Sequence, residues 1–266
     1  MIKKKYLYLY GPVASWRLGS SLGIDPLSKP FKICTFDCRY CQLGKTKALC
    51  RTRDVFVSVF DLAQEIKALP PVRIDYMTFS GTGEPTLAAN IGWMIEKVKK
   101  MRREKVAVIT NASLLSDGEV REDLRQADKI LAKLDAADEK TFQNINRPAP
   151  GITLKGVVEG IRKLRGEFAG EIAVQSMFIA QNRAAAREIA ALAKTFSPDE
   201  VQINTPLRPC AVKPLAEQEM AAIKDIFRGE FAGTRTAVVS VYDDREPAET
   251  ESVSAADTIR RRGKPV

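Results

Sequence analysis

The 266-residue sequence contains no histidine, and this absence removes whole classes of chemistry. A triad hydrolase with a histidine base is excluded, any general base must be Asp, Glu, Lys, Tyr or Cys, and a zinc site would have only cysteine and carboxylate ligands. No uncharged apolar run is long enough to cross a bilayer. Met1-Ile2-Lys3-Lys4-Lys5-Tyr6 begins like the basic start of a signal peptide, yet it runs into Gly11-Pro12 with neither an apolar helix nor a cleavage site. Cysteine is scarce and odd in number: three of the five crowd into eight residues, which suits metal ligation in a reducing compartment better than a secreted disulfide framework. A cytoplasmic protein without membrane contact is expected.

Hydrophobic residues make up 45% of the chain and charged residues 28%, the balance of a soluble globular protein with a substantial core, in the length range of one α/β barrel. The formal charge of +9, from 42 basic against 33 acidic residues, comes mostly from the clusters Lys3 to Lys5, Lys97 to Lys105 and Arg260 to Lys264. Such a balance permits an RNA or other anionic partner. Solvated helix faces and a basic tail account for each cluster equally well.

From Gly11 to Pro30 the chain is rich in Gly, Ser and Pro around the short apolar stretch Leu22 to Ile24, and reads as a strand embedded in loop. Helical spacing then predicts a helix over Val59 to Leu69 with Asp61 as its N-cap, and helices over Ile91 to Lys105, from Ser116, over Leu154 to Arg165, over Ala184 to Phe196 and near Leu215 to Phe227. Between them lie β-branched or apolar runs at Tyr76 to Phe79, Val106 to Thr110, Lys129 to Leu134, Ile172 to Phe178 and Glu200 to Ile203. About six strands in β/α order imply a parallel sheet with right-handed crossovers. Periodicity does not choose between an open doubly wound sheet and a partial barrel. In either case ligands gather at the carboxyl ends of the strands, where the polar and glycine-rich motifs of this chain fall. The end of the chain, Tyr242 to Val266, is polar and is expected to be flexible.

Cys34, Cys38 and Cys41 have a C-x3-C-x2-C spacing with Tyr40 before the last cysteine, and three thiolates so close together suit three corners of one cubane. As one face of a buried helix the same residues would be inert, but the segment is not amphipathic and is bracketed by Pro30 and Gly44. Zinc is the chemical alternative, with Cys50 as fourth ligand. After the next strand comes Ser80-Gly81-Thr82-Gly83-Glu84-Pro85, whose glycines admit close backbone approach and whose carboxylate suits a cationic group such as an α-amino group. Strand ends supply further candidates in Asn111, Lys133, Asp135, Gln175, Met177 and Asn204, each with an ordinary turn or cap role as the alternative. Cys210 and Arg208 are ambiguous between site and surface roles.

The cysteine run followed one β/α unit later by the Gly81 to Glu84 turn resembles the radical S-adenosylmethionine (SAM) superfamily, over roughly Gly11 to Arg208. The resemblance implies a partial (β/α)6 barrel over residues 1–212 with an N-terminal extension, and a C-terminal helix and polar tail over 213–266. It implies a [4Fe–4S] cluster on Cys34, Cys38 and Cys41, with SAM as the second cofactor. Tyr40 would pack near the adenine, and Gly81, Thr82, Gly83 and Glu84 would hold the methionine amino group. Asn111, Asp135, Gln175 and Asn204 are the further candidates for contact with SAM or substrate. Thr82 stands where the superfamily has the middle glycine.

Gly11-Pro12-Val13, Arg17-Leu18-Gly19, Ser21-Leu22-Gly23, Gln42-Leu43-Gly44 and Asn204-Thr205-Pro206-Leu207-Arg208-Pro209 further resemble prokaryotic radical SAM proteins grouped with the tRNA wyosine-base synthases. That likeness suggests a tRNA base as substrate. The archaeal wyosine synthases carry a second cluster on three further cysteines, whereas only Cys50 and Cys210 remain here, so a single cluster is expected. The implied reaction is reductive cleavage of SAM to a 5′-deoxyadenosyl radical, with electrons from a donor such as a flavodoxin or ferredoxin. Radical modification of a protein or peptide, and a non-catalytic zinc module presenting a basic surface, are the alternatives.

Overall fold

A computed structural model describes residues 6–262, with only the backbone of Ala255, Ala256 and Arg260. The Lys3 to Lys5 cluster and the end of the Arg260 to Lys264 cluster lie outside the described residues. The chain opens with the antiparallel pair β1 (Leu9–Ser15) and β2 (Gly19–Ile24), followed by two short strands, β3 (Ile33–Cys34) and β4 (Ala48–Leu49), which pair with each other. Then come α1 (Val59–Lys67), β5 (Tyr76–Phe79), α2 (Ile91–Met101), β6 (Lys105–Thr110), α3 (Gly118–Leu124) and β7 (Lys129–Lys133). The second half contains α4 (Glu139–Asn146), α5 (Leu154–Glu167), β8 (Glu171–Met177), α6 (Ala186–Lys194) and β9 (Glu200–Asn204). Finally, α7 (Glu217–Glu230), β10 (Ala237–Ser240) and α8 (Ala255–Arg262) complete the described residues.

The main sheet has the order β1-β2-β5-β6-β7-β8-β9-β10, parallel throughout except for β1. This order never reverses, so right-handed crossovers put successive helices on one face, whereas a doubly wound sheet needs a reversal. The result is a curled half-barrel. Alternation along the strands sorts the side chains: Val106 and Val108 of β6, Ile130 of β7 and Ile172 and Val174 of β8 join the large core beneath the helices. Their neighbours Ala107, Leu131 and Ala173 turn to the other face and pack with Leu18 and Ile109 in a small separate cluster. Beyond it that face becomes polar, with Lys133 and Gln175 following Leu131 and Ala173 at intervals of two residues along their strands. Each fully buried Val, Leu or Ile in the core contributes about 1.5–3 kcal/mol, so the apolar face fixes the register and the polar ends are free to serve a site.

The six strands expected in β/α order are present, and the differences lie at the edges. β1 contains Gly11 and Pro12, residues that argue against an interior strand but are tolerated at a sheet edge. β10, also unexpected, extends the opposite edge against β9. In α1 the cap is Ser58, whose side chain accepts from the Asp61 N–H at 3.0 Å, so Asp61 is the third residue of the helix and not its N-cap. α2 stops at Met101 rather than reaching Lys105, because Arg102 turns extended to feed β6. α4 was not anticipated, and Asp138 caps it. Within the polar tail, expected to be flexible, Ala255–Arg262 forms α8, where Arg261 is 1% exposed. No helix among the described residues is long and apolar enough to cross a membrane.

Candidate active site

The cysteine loop leaves β3 and is held by backbone bonds across the site. Asp37 N–H donates to the Asn146 and Arg147 carbonyls (3.0 and 3.1 Å), Arg39 N–H to the Ile145 carbonyl (3.0 Å), and Cys50 N–H to the Cys34 carbonyl (3.1 Å). The Phe36 ring packs edge-on against Phe142 of α4 at 5.4 Å. Cys41 and Gly44 close successive turns onto the Cys38 and Cys41 carbonyls (3.1 and 2.9 Å). The loop is thus held by the chain's own backbone and ring contacts.

All five cysteines are free, and Cys34 and Cys38 each receive a side-chain amide: Asn111 Nδ2 lies 3.6 Å from Cys34 Sγ and Asn146 Nδ2 3.6 Å from Cys38 Sγ. Burial pushes the Cys34 thiol well above its ordinary value and the Cys38 thiol to about 11. Burial pulls the Lys32 ammonium down, but the sulfurs of Cys41, Cys34 and Cys38 more than offset this and hold it above its ordinary value. Lys32 is 6% exposed and otherwise reaches the Gly44 carbonyl (3.4 Å). A buried ammonium in the field of three thiols suits an anionic thiolate-ligated cluster, whose metal charge would deprotonate the sulfurs. Among the described residues no group of three or more Cys, Asp or Glu is placed to hold a single metal ion, so the zinc arrangement with Cys50 gains no support. A cubane asks for less convergence, since each thiolate meets its own iron.

The Gly81 to Glu84 turn lies directly against this loop. Ile33 N–H donates to the Thr82 carbonyl and Glu84 N–H to the Ile33 carbonyl, both at 3.1 Å. A Cβ at residue 83 would overlap the Ile33 carbonyl oxygen, and Gly81 has φ +130° with Asp25 against its Cα, so both positions require glycine. Glu84 turns inward and is 2% exposed: one carboxylate oxygen accepts from Thr110 Oγ1 (2.6 Å), Thr86 Oγ1 (2.7 Å) and Thr86 N–H (3.2 Å), the other from Asn111 N–H (2.7 Å). Burial raises its pKa against the opposing pull of these bonds. The Thr82 hydroxyl donates to Asp25 at 3.0 and 3.2 Å.

Two adjoining cavities, of about 210 and 530 Å³, share Ser15, Arg17, Gln42, Ile109 and Arg262. Gly81 and Gly83 face the smaller one, and Tyr40, Cys41, Gln175 and Asn204 the larger. Asn111 and Asp135 are placed differently, behind the cysteine loop. Asn111 Nδ2 donates to Thr35 Oγ1 (2.6 Å), and Asp135 accepts from the Tyr40 hydroxyl, from Asn146 Nδ2 (2.8 Å) and from the Met177 N–H (2.8 Å) and forms an ion pair with Lys133 at 3.3 Å. Burial and the Asp135 charge raise the Tyr40 hydroxyl well above its ordinary value, so it stays a donor. Lys133 Nζ lies 5.0 Å from the Tyr40 ring centroid. Gln175 Nε2 reaches Gln202 Oε1 (3.2 Å). Cys210 and Cys50 are half-buried, Cys210 with its thiol 3.2 Å from the Val212 carbonyl.

The sequence had not pointed to Asn146, Asp25, Lys32 or Arg261 as parts of this site. Asn146 and Arg261 sit on α4 and α8, elements that periodicity did not show. Lys32, two residues before the first cysteine, was the one with a visible signal, a charge entering a metal-ligand loop.

A one-directional parallel half-barrel with three free thiols and a glycine turn at the carboxyl edge of its strands defines a cluster-dependent α/β enzyme. The family model of the radical SAM superfamily matches residues 28–193. A UPF0026 protein of Synechocystis sp. is 40% identical over 246 residues, covering 92% of this chain and 87% of that protein. Among solved structures, Streptococcus suis SuiB bound to S-adenosylmethionine matches with a TM-score of 0.61 and 13% identity over 79% of this chain and 48% of SuiB, so this chain spans about half of SuiB. Archaeal TYW1 matches with a TM-score of 0.59 and 12% identity over 87% of this chain and 77% of that one. Both structural likenesses concern the fold. The chain belongs to the radical SAM superfamily, and it is accordingly an enzyme that takes a [4Fe–4S] cluster and SAM as cofactors.

Proposed function

We propose that Cys34, Cys38 and Cys41 ligate one [4Fe–4S] cluster, that the cavities beside it hold SAM and a substrate, and that the substrate is a tRNA base. The observation that carries this reading is the three free thiols around Lys32 in a loop whose Ile33 is bonded at both its N–H and its carbonyl to the turn that lines the smaller cavity with Gly81 and Gly83, while Cys41 lines the adjoining larger one. With both cofactors bound, reductive cleavage of SAM supplies methionine and a 5′-deoxyadenosyl radical that takes a hydrogen atom from the substrate.

The chain's own residues position and exclude. Gly81 and Gly83 offer a close backbone approach for the methionine end of SAM. Glu84 and Asn111 fix that turn to β6 and to the cysteine loop, and Thr82 ties it to Asp25. Tyr40, held by Asp135 and Asn146, presents its ring beside the adenine. Gln175 and Asn204 supply amides toward SAM or substrate, and the walls keep bulk water from the reacting carbon. The net charge of +9 and a larger cavity that, among the described residues, is lined by cations and no carboxylate side chain support the RNA part of the reading. A core of residues 1–212 and a C-terminal unit of residues 213–266, a cytoplasmic location and reduction by a flavodoxin or ferredoxin belong to the same proposal.

The test is anaerobic reconstitution of the wild type and of Cys34→Ala, Cys38→Ala, Cys41→Ala, Cys50→Ala and Cys210→Ala. The thiolate-to-iron absorbance near about 400 nm is expected to be lost in the first three variants and kept in the last two. Loss in Cys50→Ala with retention in Cys41→Ala would reassign the ligands. Incubation with SAM and bulk tRNA is expected to release 5′-deoxyadenosine faster than SAM alone, and an identical rate would remove tRNA as substrate.

A further inference from the structure

Three guanidinium groups from distant parts of the chain line the larger cavity: Arg17 from the β1–β2 connection, Arg208 from the segment after β9, and Arg262 from α8. Arg208 Nη1 donates to the Arg262 carbonyl at 3.3 Å, tying two of the segments together. Lys133 adds a fourth positive charge, and among the described residues no Asp or Glu lines the cavity. Lys133 has Asp135 at 3.3 Å, but Arg17 and Arg262 make no ion pair among the described residues, and Arg17 Nε is buried there without a hydrogen-bond partner. Burial first, and then repulsion from Arg262 in the one case and from Arg208 in the other, lowers the Arg17 and Arg262 guanidiniums to about 10.

Holding like charges together away from water costs free energy, and a buried donor left unpaired adds to that cost. A planar donor fork is suited to two kinds of anion, carboxylate and phosphate. A carboxylate has one charge and two oxygens, which one guanidinium satisfies. Three guanidiniums match the greater charge and three outward oxygens of a phosphoryl group. Tyr40 and Cys41 line the same cavity, so an anion on the arginines sits in the space where the substrate must meet the cofactors.

We propose that Arg17, Arg208 and Arg262 form a phosphate site that anchors a nucleotide substrate by its phosphate, with the nucleoside facing Tyr40 and Cys41. This rests on the radical SAM reading of the cavity and specifies what the cavity binds. Because α8 brings Arg262, the C-terminal segment is part of the substrate site. A free nucleotide and the phosphorylated end of an RNA share this chemistry, whereas an internal phosphodiester has only one charge and two free oxygens.

The experiment uses the cluster-loaded, SAM-bound enzyme and measures inorganic phosphate binding calorimetrically at constant ionic strength. Wild type, Arg17→Gln, Arg262→Gln and the exposed-lysine control Lys155→Gln are compared, with acetate as competitor. Phosphate binding is expected in the wild type and in Lys155→Gln, unaffected by equimolar acetate, and weakened about tenfold or more in each arginine variant. Cluster absorbance is measured in every variant, so a folding failure is recognised separately. Phosphate that does not bind, binds equally to the variants, or displaces SAM would overturn the proposal, the last because the arginines would then be holding the SAM carboxylate. Displacement of phosphate by mixed 5′-nucleoside monophosphates identifies a free nucleotide, displacement by bulk tRNA identifies RNA, and displacement by neither overturns the nucleotide assignment. Failure of the radical SAM reading would appear instead as absent SAM binding and cleavage.

Discussion

Arg261 Nε lies 3.0 Å from Asp25 Oδ2, and neither side chain is exposed to solvent. The same carboxylate accepts from Thr82 Oγ1 and from the N–H groups of Leu27 (3.2 Å) and Ser28 (2.9 Å). One buried acid therefore joins the last helix to the turn assigned to SAM, and the position where Thr82 departs from the superfamily pattern provides that bond. Arg261→Met leaves Asp25 buried without its counter-charge and is expected to destabilise the protein by about 3–5 kcal/mol in urea unfolding. Adding Asp25→Asn should recover part of the loss. An Arg261→Met midpoint equal to the wild type would mean that the pair does not form.

The crossing of the Gly81 to Glu84 turn over β3 leaves no room at residue 83. A methyl group there must displace the Ile33 carbonyl, which also accepts from Glu84 N–H. Gly83→Ala is expected to lose cluster incorporation and SAM affinity together, whereas Gly166→Ala, at an open position, should keep both. Cluster absorbance after reconstitution and equilibrium SAM binding provide the check.

Lys32 places a positive charge beside all three sulfurs. Its removal in Lys32→Met should shift the cluster's reduction potential to more negative values by tens of millivolts, since a nearby cation stabilises the more negative, reduced state. Spectroelectrochemical titration measures this directly. An unchanged or more positive potential would show that Lys32 does not sense the cluster.

The sequence disclosed the parts of this molecule that depend on local pattern. The strands Tyr76–Phe79 to Glu200–Asn204 stand out because their apolar residues are buried, in a large core on one face and a small cluster on the other, and the cysteines stand out because of their spacing. β1 was hidden by Gly11 and Pro12, which an edge strand tolerates. The half-barrel was not readable from periodicity, because the same β/α alternation serves an open sheet; the unreversed strand order decides it. Asn146 and Arg261 were illegible for another reason. They meet Cys38 and Asp25 across 108 and 236 residues, and their own segments are polar. Glu84 was noticed as a carboxylate beside glycines, but its four donors, which come from tertiary contacts and the local turn, could not be seen.

Those donors make Glu84 sensitive to isosteric change. In Glu84→Gln an amide NH2 must face hydroxyl or N–H donors, and a loss of about 1–3 kcal/mol in urea unfolding is expected. The pH dependence follows from the direction of its shift. The folded protein holds the Glu84 proton more tightly than the unfolded chain, so the contribution of this residue to stability falls as pH rises from the ordinary carboxylate range through its raised value. Between those limits the stability profile of Glu84→Gln should lack that decline. A decline of the same steepness in variant and wild type would assign it to another group.

The most direct test of the account is a single-tube measurement of SAM fate. Enzyme reconstituted anaerobically and reduced with dithionite is incubated with SAM, and methionine and 5′-deoxyadenosine are quantified against the Cys41→Ala variant. The account predicts equal amounts of the two products in the wild type and none above background in the variant. Intact SAM in a wild-type sample that carries a full, reduced cluster would contradict it.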